Sequence, residues 1–369
     1  MICLNEGESA NEYSRIKTRV FIADLIWTVV LLGLFQLFFS PALADAVRGI
    51  SANFYAGCFI YSSLFFLFML AGPLPLRYYS SYYIEHRFGL SNQGFSSWVI
   101  DEVKSAALSF IVFVLGVGSF YFVLHNTGGA WWIVLSFLWM FFSIVIARIL
   151  PQVIIPLFFR YSTVDDRRLR DRLLGLAEKA GIRIMDICQI DFSRKTKKAN
   201  AALVGLGKTR KVILTDTLIR DFSEDEIESV VAHEFGHHKY RHIWKLIIFS
   251  GAVTTAGFYM LSVTAGKVSA ITSASGLHDL KILPVLLFLM LVFSLVVLPL
   301  QNAFSRVLER QSDRFALKIT AAPAVFASVM RKLGAMNLSE FKPSRIKKIF
   351  FYDHPPLDER IEMAERSKS

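Results

Sequence analysis

Apolar residues along this chain gather into long runs. The first extends from Val20 to Phe39, the second from about Asn53 to Leu76, and the third from Ser105 to Leu124. Three more cover Trp131–Leu150, Ile243–Val263 and Ile282 to about Leu300. A helix needs about 20 apolar residues to cross a bilayer, so the pattern predicts about six spans. The first run is followed by small residues at Ala42–Ala46. It is nevertheless longer than the apolar core of a signal peptide, which favours an uncleaved anchor.

Two polar stretches interrupt the runs. In Arg160–His242, helical spacing over Asp165–Ala180 places Leu169, Leu173, Leu176 and Ala177 on one face, and Gly181 ends it. Ile184–Phe192, Ala199–Val204 and Lys211–Thr215 read as strands. Gly205, Leu206, Gly207 and Lys208 form a tight hairpin between the last two. Ser223 and Glu226 make an S-x-x-E capping box. The helix it starts continues through Ile227, Val230 and Val231 towards Trp244, and so is expected to run into span five. The second polar stretch is about Gln301–Ser369. The expected fold class is an α-helical polytopic membrane protein with an α+β domain split by a transmembrane hairpin. Its parts are a four-span membrane domain at 1–160, a first catalytic part at 161–242, the hairpin at 243–304 and a second catalytic part at 305–369.

The composition agrees with a membrane protein: 54% of residues are hydrophobic and 19% charged. A net charge of +11 invites a nucleic-acid reading, but the positions of the cations explain it better. Arg15, Lys17 and Arg19 precede span one, and Arg77, Arg87 and Lys104 follow span two. Arg160–Arg241 is rich in both cations, whereas the loop between spans three and four has none. Cytoplasmic loops carry such an excess, so the N-terminus, the polar domain and the C-terminus are expected in the cytoplasm. The setting would be a bacterial inner membrane, or the endoplasmic reticulum membrane of a eukaryote. No nucleic-acid partner is expected, and the sequence is silent on oligomeric state. Cys3, Cys58 and Cys188 form neither a disulfide framework nor a metal motif.

Candidate chemistry sits on the capped helix. His233-Glu234-Phe235-Gly236-His237 is an H-E-x-x-H motif. Residues four apart share a helix face, so both imidazoles can reach one Zn²⁺ ion at about 2 Å. Zinc lowers the pKa of a water it binds, and Glu234 is close enough to take the proton. His238 and His242 lie nearby with Lys239 and Arg241, and read as a cationic helix end. A catalytic zinc keeps three protein ligands and one open position. Glu309, just beyond span six, is the expected third ligand. Asp313 shares its face and can orient a ligand histidine. The plainer reading is a solvated helix, with these acids paired to Arg310 and Arg314.

With these motifs the chain resembles the type I CAAX prenyl endopeptidases, membrane zinc proteases of the gluzincin kind. Further stretches agree: Tyr83–Gly89, Lys198–Ala201 followed by Gly205–Arg210, and His354-Pro355-Pro356-Leu357 with Arg360. The resemblance covers about residues 77–362 and implies a ring of tilted helices around a chamber, although family members from eukaryotes have one more span. It implies His233, His237 and Glu309 as ligands of one zinc and Glu234 as the catalytic carboxylate. It also implies Asn200 and Ala201 as the strand edge that binds substrate backbone. His354 and Arg360 would line the site and steady the oxyanion. The pairing of Arg360, with a carboxylate of substrate or of protein, stays open.

The expected function is zinc-dependent endopeptidase cleavage of membrane-associated or CAAX-like C-terminal peptides, prenylated or not. Membrane-protein substrates in the manner of a heat-shock quality-control protease are an alternative. A transporter with a structural zinc is another, but Asp24 is the main acid inside a span and no repeat is visible.

Overall fold

The computed structural model describes residues 6–205 and 210–367. Among the described residues, five continuous helical stretches are long and apolar enough to cross a membrane: Gly7–Ile50, Phe54–Ala71, Phe95–Phe158, His242–Thr272 and Leu280–Thr320. The six apolar runs fall on these five, because two of them share the third stretch. That stretch folds back at Gly128–Ala130, where Gly128 takes a positive φ of 53°. Its limbs are α4 (Phe95–Thr127) and α5 (Trp131–Ile149). They lie side by side, so that the Lys104 ammonium reaches the Leu157 carbonyl at 3.0 Å. The first stretch is α1 (Glu6–Leu34) joined through a π-helical turn at Phe35–Phe39 to α2 (Ser40–Ile50). Next comes α3 (Phe54–Ala71), capped by Asn53.

Burial on these helices is inverted relative to a water-soluble protein. Leu37, Phe137, Val263 and Val296 stand exposed, an arrangement that suits hydrocarbon solvent, where helices satisfy their own backbone groups. Phe35, Tyr61, Phe65, Tyr121, Trp131, Leu261 and Leu286 pack between the helices.

The polar domain holds a four-stranded sheet of order β1-β2-β4-β3. Its strands are β1 (Tyr161–Thr163), β2 (Asp186–Ile190), β3 (Ala201–Val204) and β4 (Lys211–Thr215). β2 runs parallel to β4, while β3 pairs with it antiparallel from Ala201↔Leu214 to Val204↔Lys211 and forms an edge. The predicted turn at Leu206, Gly207 and Lys208 lies outside the described residues. Leu169, Leu173 and Leu176 of α6 (Arg167–Ala180) cover the sheet. After the short α7 (Asp216–Asp221) comes α8 (Glu224–Lys239), which carries the H-E-x-x-H motif.

One expectation fails here. The motif helix does not run into span five: it stops at Lys239. Arg241 adopts left-handed backbone (φ 54°), and a separate α9 (His242–Thr272) begins. From span six, α10 (Leu283–Thr320) continues for 38 residues. At 1.5 Å per residue that is about 57 Å, against a hydrocarbon core of about 30 Å. The excess carries Glu309 and Asp313 out of the span and against α8. α11 (Pro323–Met336), α12 (Arg345–Phe351) and α13 (Leu357–Arg366) complete the chain. Ala316, Phe326, Val329 and Met330 join Ile187, Val212, Val231 and Phe235 in a single core. The two polar stretches therefore close one hydrophobic interior.

Candidate metal centre

The α8 helix starts where its sequence says it should. The Ser223 hydroxyl accepts from the Glu226 N–H at 3.3 Å, and the Glu226 carboxylate accepts from the Ser223 N–H at 2.9 Å. Glu224, Asp225 and Glu226 face the positive end of the helix dipole. One turn apart near the other end, His233 and His237 point the same way.

Gly236 lets α10 approach. A Cβ at that position would lie 2.8 Å from the Ser312 Cα, a backbone atom. The two helices therefore touch main chain to main chain, and Glu309 is delivered between the imidazoles. Its Oε2 is 3.2 Å from His233 Nε2 and its Oε1 3.2 Å from His237 Nε2; the two Nε2 atoms are 3.0 Å apart. Among the described residues these three are the one set whose potential ligand atoms converge in this way.

The donor set fits a metal ion. Glu309 Oε2 is buried and receives no aligned hydrogen bond. A buried anionic oxygen without a donor is costly unless a cation satisfies it. Two imidazoles and a carboxylate suit a divalent ion that keeps an open position.

The surrounding layer orients this set. His233 Nδ1 donates to Asp313 Oδ1 at 2.8 Å. Asp313 is fully buried and accepts twice more from Arg360, at 2.6 and 2.9 Å. Burial alone would lower the His233 pKa, but the hydrogen bond and charge of Asp313 outweigh it and raise it to about 9. Arg360 thus meets a carboxylate of the protein. Neither Arg310 nor Arg314 pairs with Asp313; Arg310 reaches Glu359. The half-exposed His354 places Nε2 3.3 Å from Glu309 Oε2 and donates from Nδ1 to Asp353 at 2.8 Å. Partial burial lowers its pKa, yet the Asp353 hydrogen bond and the Glu309 charge leave it raised.

Glu234 turns toward the edge strand, where its Oε2 accepts from the Leu203 N–H at 3.4 Å. Two residues earlier, the Ala201 N–H is met by the side chain of exposed Asn200 at 2.9 Å. These two N–H groups face away from β4, so the open edge of the sheet looks at the motif carboxylate.

Several participants take roles that the sequence alone does not define. Asn302 and Arg306, buried on α10, donate to the Ile349, Phe350, Lys348 and Tyr352 carbonyls. They satisfy the end of α12 and so fix where Asp353 and His354 emerge. Glu85 accepts from Tyr13 (2.6 Å), Lys17 (3.1 Å) and Lys198 (2.9 Å). Leu90 accepts from Lys197 and Thr196. The Tyr83–Gly89 segment and its neighbours thus clamp the chain entering β3. His242, read as part of a cationic helix end, is instead buried, with Nδ1 3.0 Å from His237 Nδ1.

Comparison with known proteins identifies the family. Residues 163–368 match peptidase family M48, and residues 2–160 match the CAAX prenyl protease N-terminal region of five membrane helices. A Bacillus subtilis protein named uncharacterized metalloprotease YhfN is 30% identical over 300 residues, 80% of this chain and 70% of that one. The CAAX prenyl protease 1 homolog of Arabidopsis thaliana is 31% identical over 304 residues, 78% and 68% respectively. The crystal structure of S. mikatae Ste24p superposes with a TM-score of 0.84 at 24% identity, covering 98% of this chain and 89% of that one, and shares its fold.

Proposed function

The chain belongs to peptidase family M48 and is a membrane metalloendopeptidase of the CAAX prenyl protease kind, and we propose that it uses zinc to cleave C-terminal peptides of membrane-associated proteins. The observation that carries the site assignment is the convergence of the potential ligand atoms of His233, His237 and Glu309, with Glu309 Oε2 buried and without an aligned hydrogen bond. Zinc bound there would activate a water towards neutral pH and polarise the scissile carbonyl.

The chain's own residues do the rest. Glu234 takes a proton from the attacking water and passes it to the leaving amine. His354 Nε2 donates to the oxyanion that develops on the carbonyl. An extended peptide adds to the outer edge of β3, where the Ala201 and Leu203 N–H groups exchange their side-chain acceptors, Asn200 and Glu234, for its main chain. This mode makes little demand on side chains. Arg360 and Asp313 act through His233, as positioning residues. Residues 1–160 and 243–304 form the membrane part. Residues 161–242 and 305–369 form the catalytic part, on the cytoplasmic side. A transporter role has no support from the matched families.

The test is cleavage of a farnesylated C-terminal peptide by the purified, detergent-solubilised protein. Cleavage should occur, stop on chelation and return with zinc. Hydrolysis that survives complete metal removal would sink the proposal. Equal cleavage of the peptide without its farnesyl group would remove the lipid from the recognition.

A further inference from the structure

The two histidines of the motif are held by different devices. His233 has a buried carboxylate behind it. Behind His237 stands no carboxylate but a chain of hydrogen-bonding groups that crosses from α9 to α10. His237 Nδ1 lies 3.0 Å from His242 Nδ1, and His242 Nε2 lies 2.9 Å from Gln311 Oε1. The Lys245 ammonium reaches the same Gln311 oxygen at 3.3 Å.

The protons of this chain can be assigned from its far end. A lysine ammonium only donates, so the Gln311 atom it meets is the carbonyl oxygen. An oxygen that accepts from Lys245 also accepts from His242, so His242 carries its proton on Nε2. A neutral imidazole with that proton has a lone pair on Nδ1. Since His242 Nδ1 accepts, His237 Nδ1 must donate. His237 is then left with its lone pair on Nε2, the atom that faces Glu309 and His233. The opposite tautomer would aim an N–H at the metal position and could not ligate.

The break after α8 makes this possible. Arg241 in left-handed backbone turns the chain so that His242 returns over His237. Ser312, whose backbone touches Gly236, closes the other side with its hydroxyl 3.4 Å from His242 Nδ1.

We propose that His242, fixed by Gln311 and Lys245, is a positioning residue that sets the tautomer and ring orientation of His237 for metal binding. The inference rests on the assignment of His237 as a ligand. Its readout is zinc affinity in the absence of peptide, so it can fail while that assignment stands.

The experiment measures zinc dissociation constants by chelator competition on the full-length protein in detergent. His242→Phe keeps the ring volume and removes the acceptor; it should bind zinc at least about tenfold more weakly than the natural protein. His242→Asn places an amide oxygen near the position of Nδ1 and should restore most of that loss. A role in packing alone predicts that the two variants weaken together, or that Asn is the worse, and either result overturns the proposal. So does His242→Phe with undiminished affinity. If His242→Phe does not fold, Gln311→Leu at its half-buried position tests the same chain. It frees His242 to take either tautomer and should weaken zinc by several-fold, and unchanged affinity there refutes the relay. If the natural protein binds no zinc, the ligand assignment itself has failed.

Discussion

Glu234 sits beside the cluster without joining it, and its role separates from that of its neighbours by a single atom. Glu234→Gln keeps the shape and removes the base. The variant should retain zinc and cleave peptide about 10²–10⁴-fold more slowly. Zinc content and turnover measured on one preparation check both halves, and wild-type turnover by zinc-loaded variant would remove Glu234 from the mechanism. Much of this site is legible in the sequence because helix geometry converts a spacing of four into a shared face. Glu309 and Asp313 are legible for the same reason, given their place just beyond a span. His242 is not. On an unbroken helix five residues make about 1.4 turns, which would carry His242 away from the face of His237. Only the turn at Arg241 brings it back, and no residue of the usual helix-stopping kind announces that turn. The partner of Arg360 is equally hidden, since Asp313 lies 47 residues earlier on another element.

At the scale of elements, the closest constraint is the crossing of α8 and α10 at Gly236. Gly236→Ala would place a methyl carbon 2.8 Å from the Ser312 backbone. The helices must then part, and overpacking of this kind costs about 1–3 kcal/mol. The larger effect falls on the metal, because the two histidines ride on one helix and the carboxylate on the other. Zinc affinity should drop more steeply than thermal stability; a variant with lowered stability and natural zinc affinity would show that the crossing does not set the ligand geometry. The strands at Ile184–Phe192, Ala199–Val204 and Lys211–Thr215 were readable to within two residues, because apolar runs bounded by glycine and charge mark them. Three-residue β1 has no period to detect. The clamp around Glu85 joins residues from α1, the Tyr83–Gly89 segment and the approach to β3. The Tyr83–Gly89 and Lys198–Ala201 stretches stand out by resemblance, but only the fold shows that they meet. Burial would raise the Glu85 pKa, but Tyr13, Lys198 and Lys17 together lower it. The clamp's stabilisation is therefore present above the ordinary carboxylate range and is lost as pH falls through the lowered value.

At the scale of the whole molecule, the alternation of basic loops is the basis of the proposed orientation. Reporter fusions at Lys347 should read as cytoplasmic and a fusion at Ser273 as external. A cytoplasmic reading at Ser273 would break the hairpin of α9 and α10. The apolar runs announced the spans plainly; the doubling of one stretch into α4 and α5 needed only the glycines at Gly128 and Gly129. Less visible was that the polar stretches on either side of the hairpin close a single core. That shared core has a consequence for biosynthesis. When the ribosome has delivered the motif helix, the growing chain already owns both histidines and Glu234. It still lacks Glu309, the proposed third ligand, together with the buried partner of His233 and the apolar residues that seal the sheet. All of these follow the apolar part of α10 in the chain. With the proposed ligand set, the nascent protein stays an unfinished hydrolase until the chain beyond span six has been made.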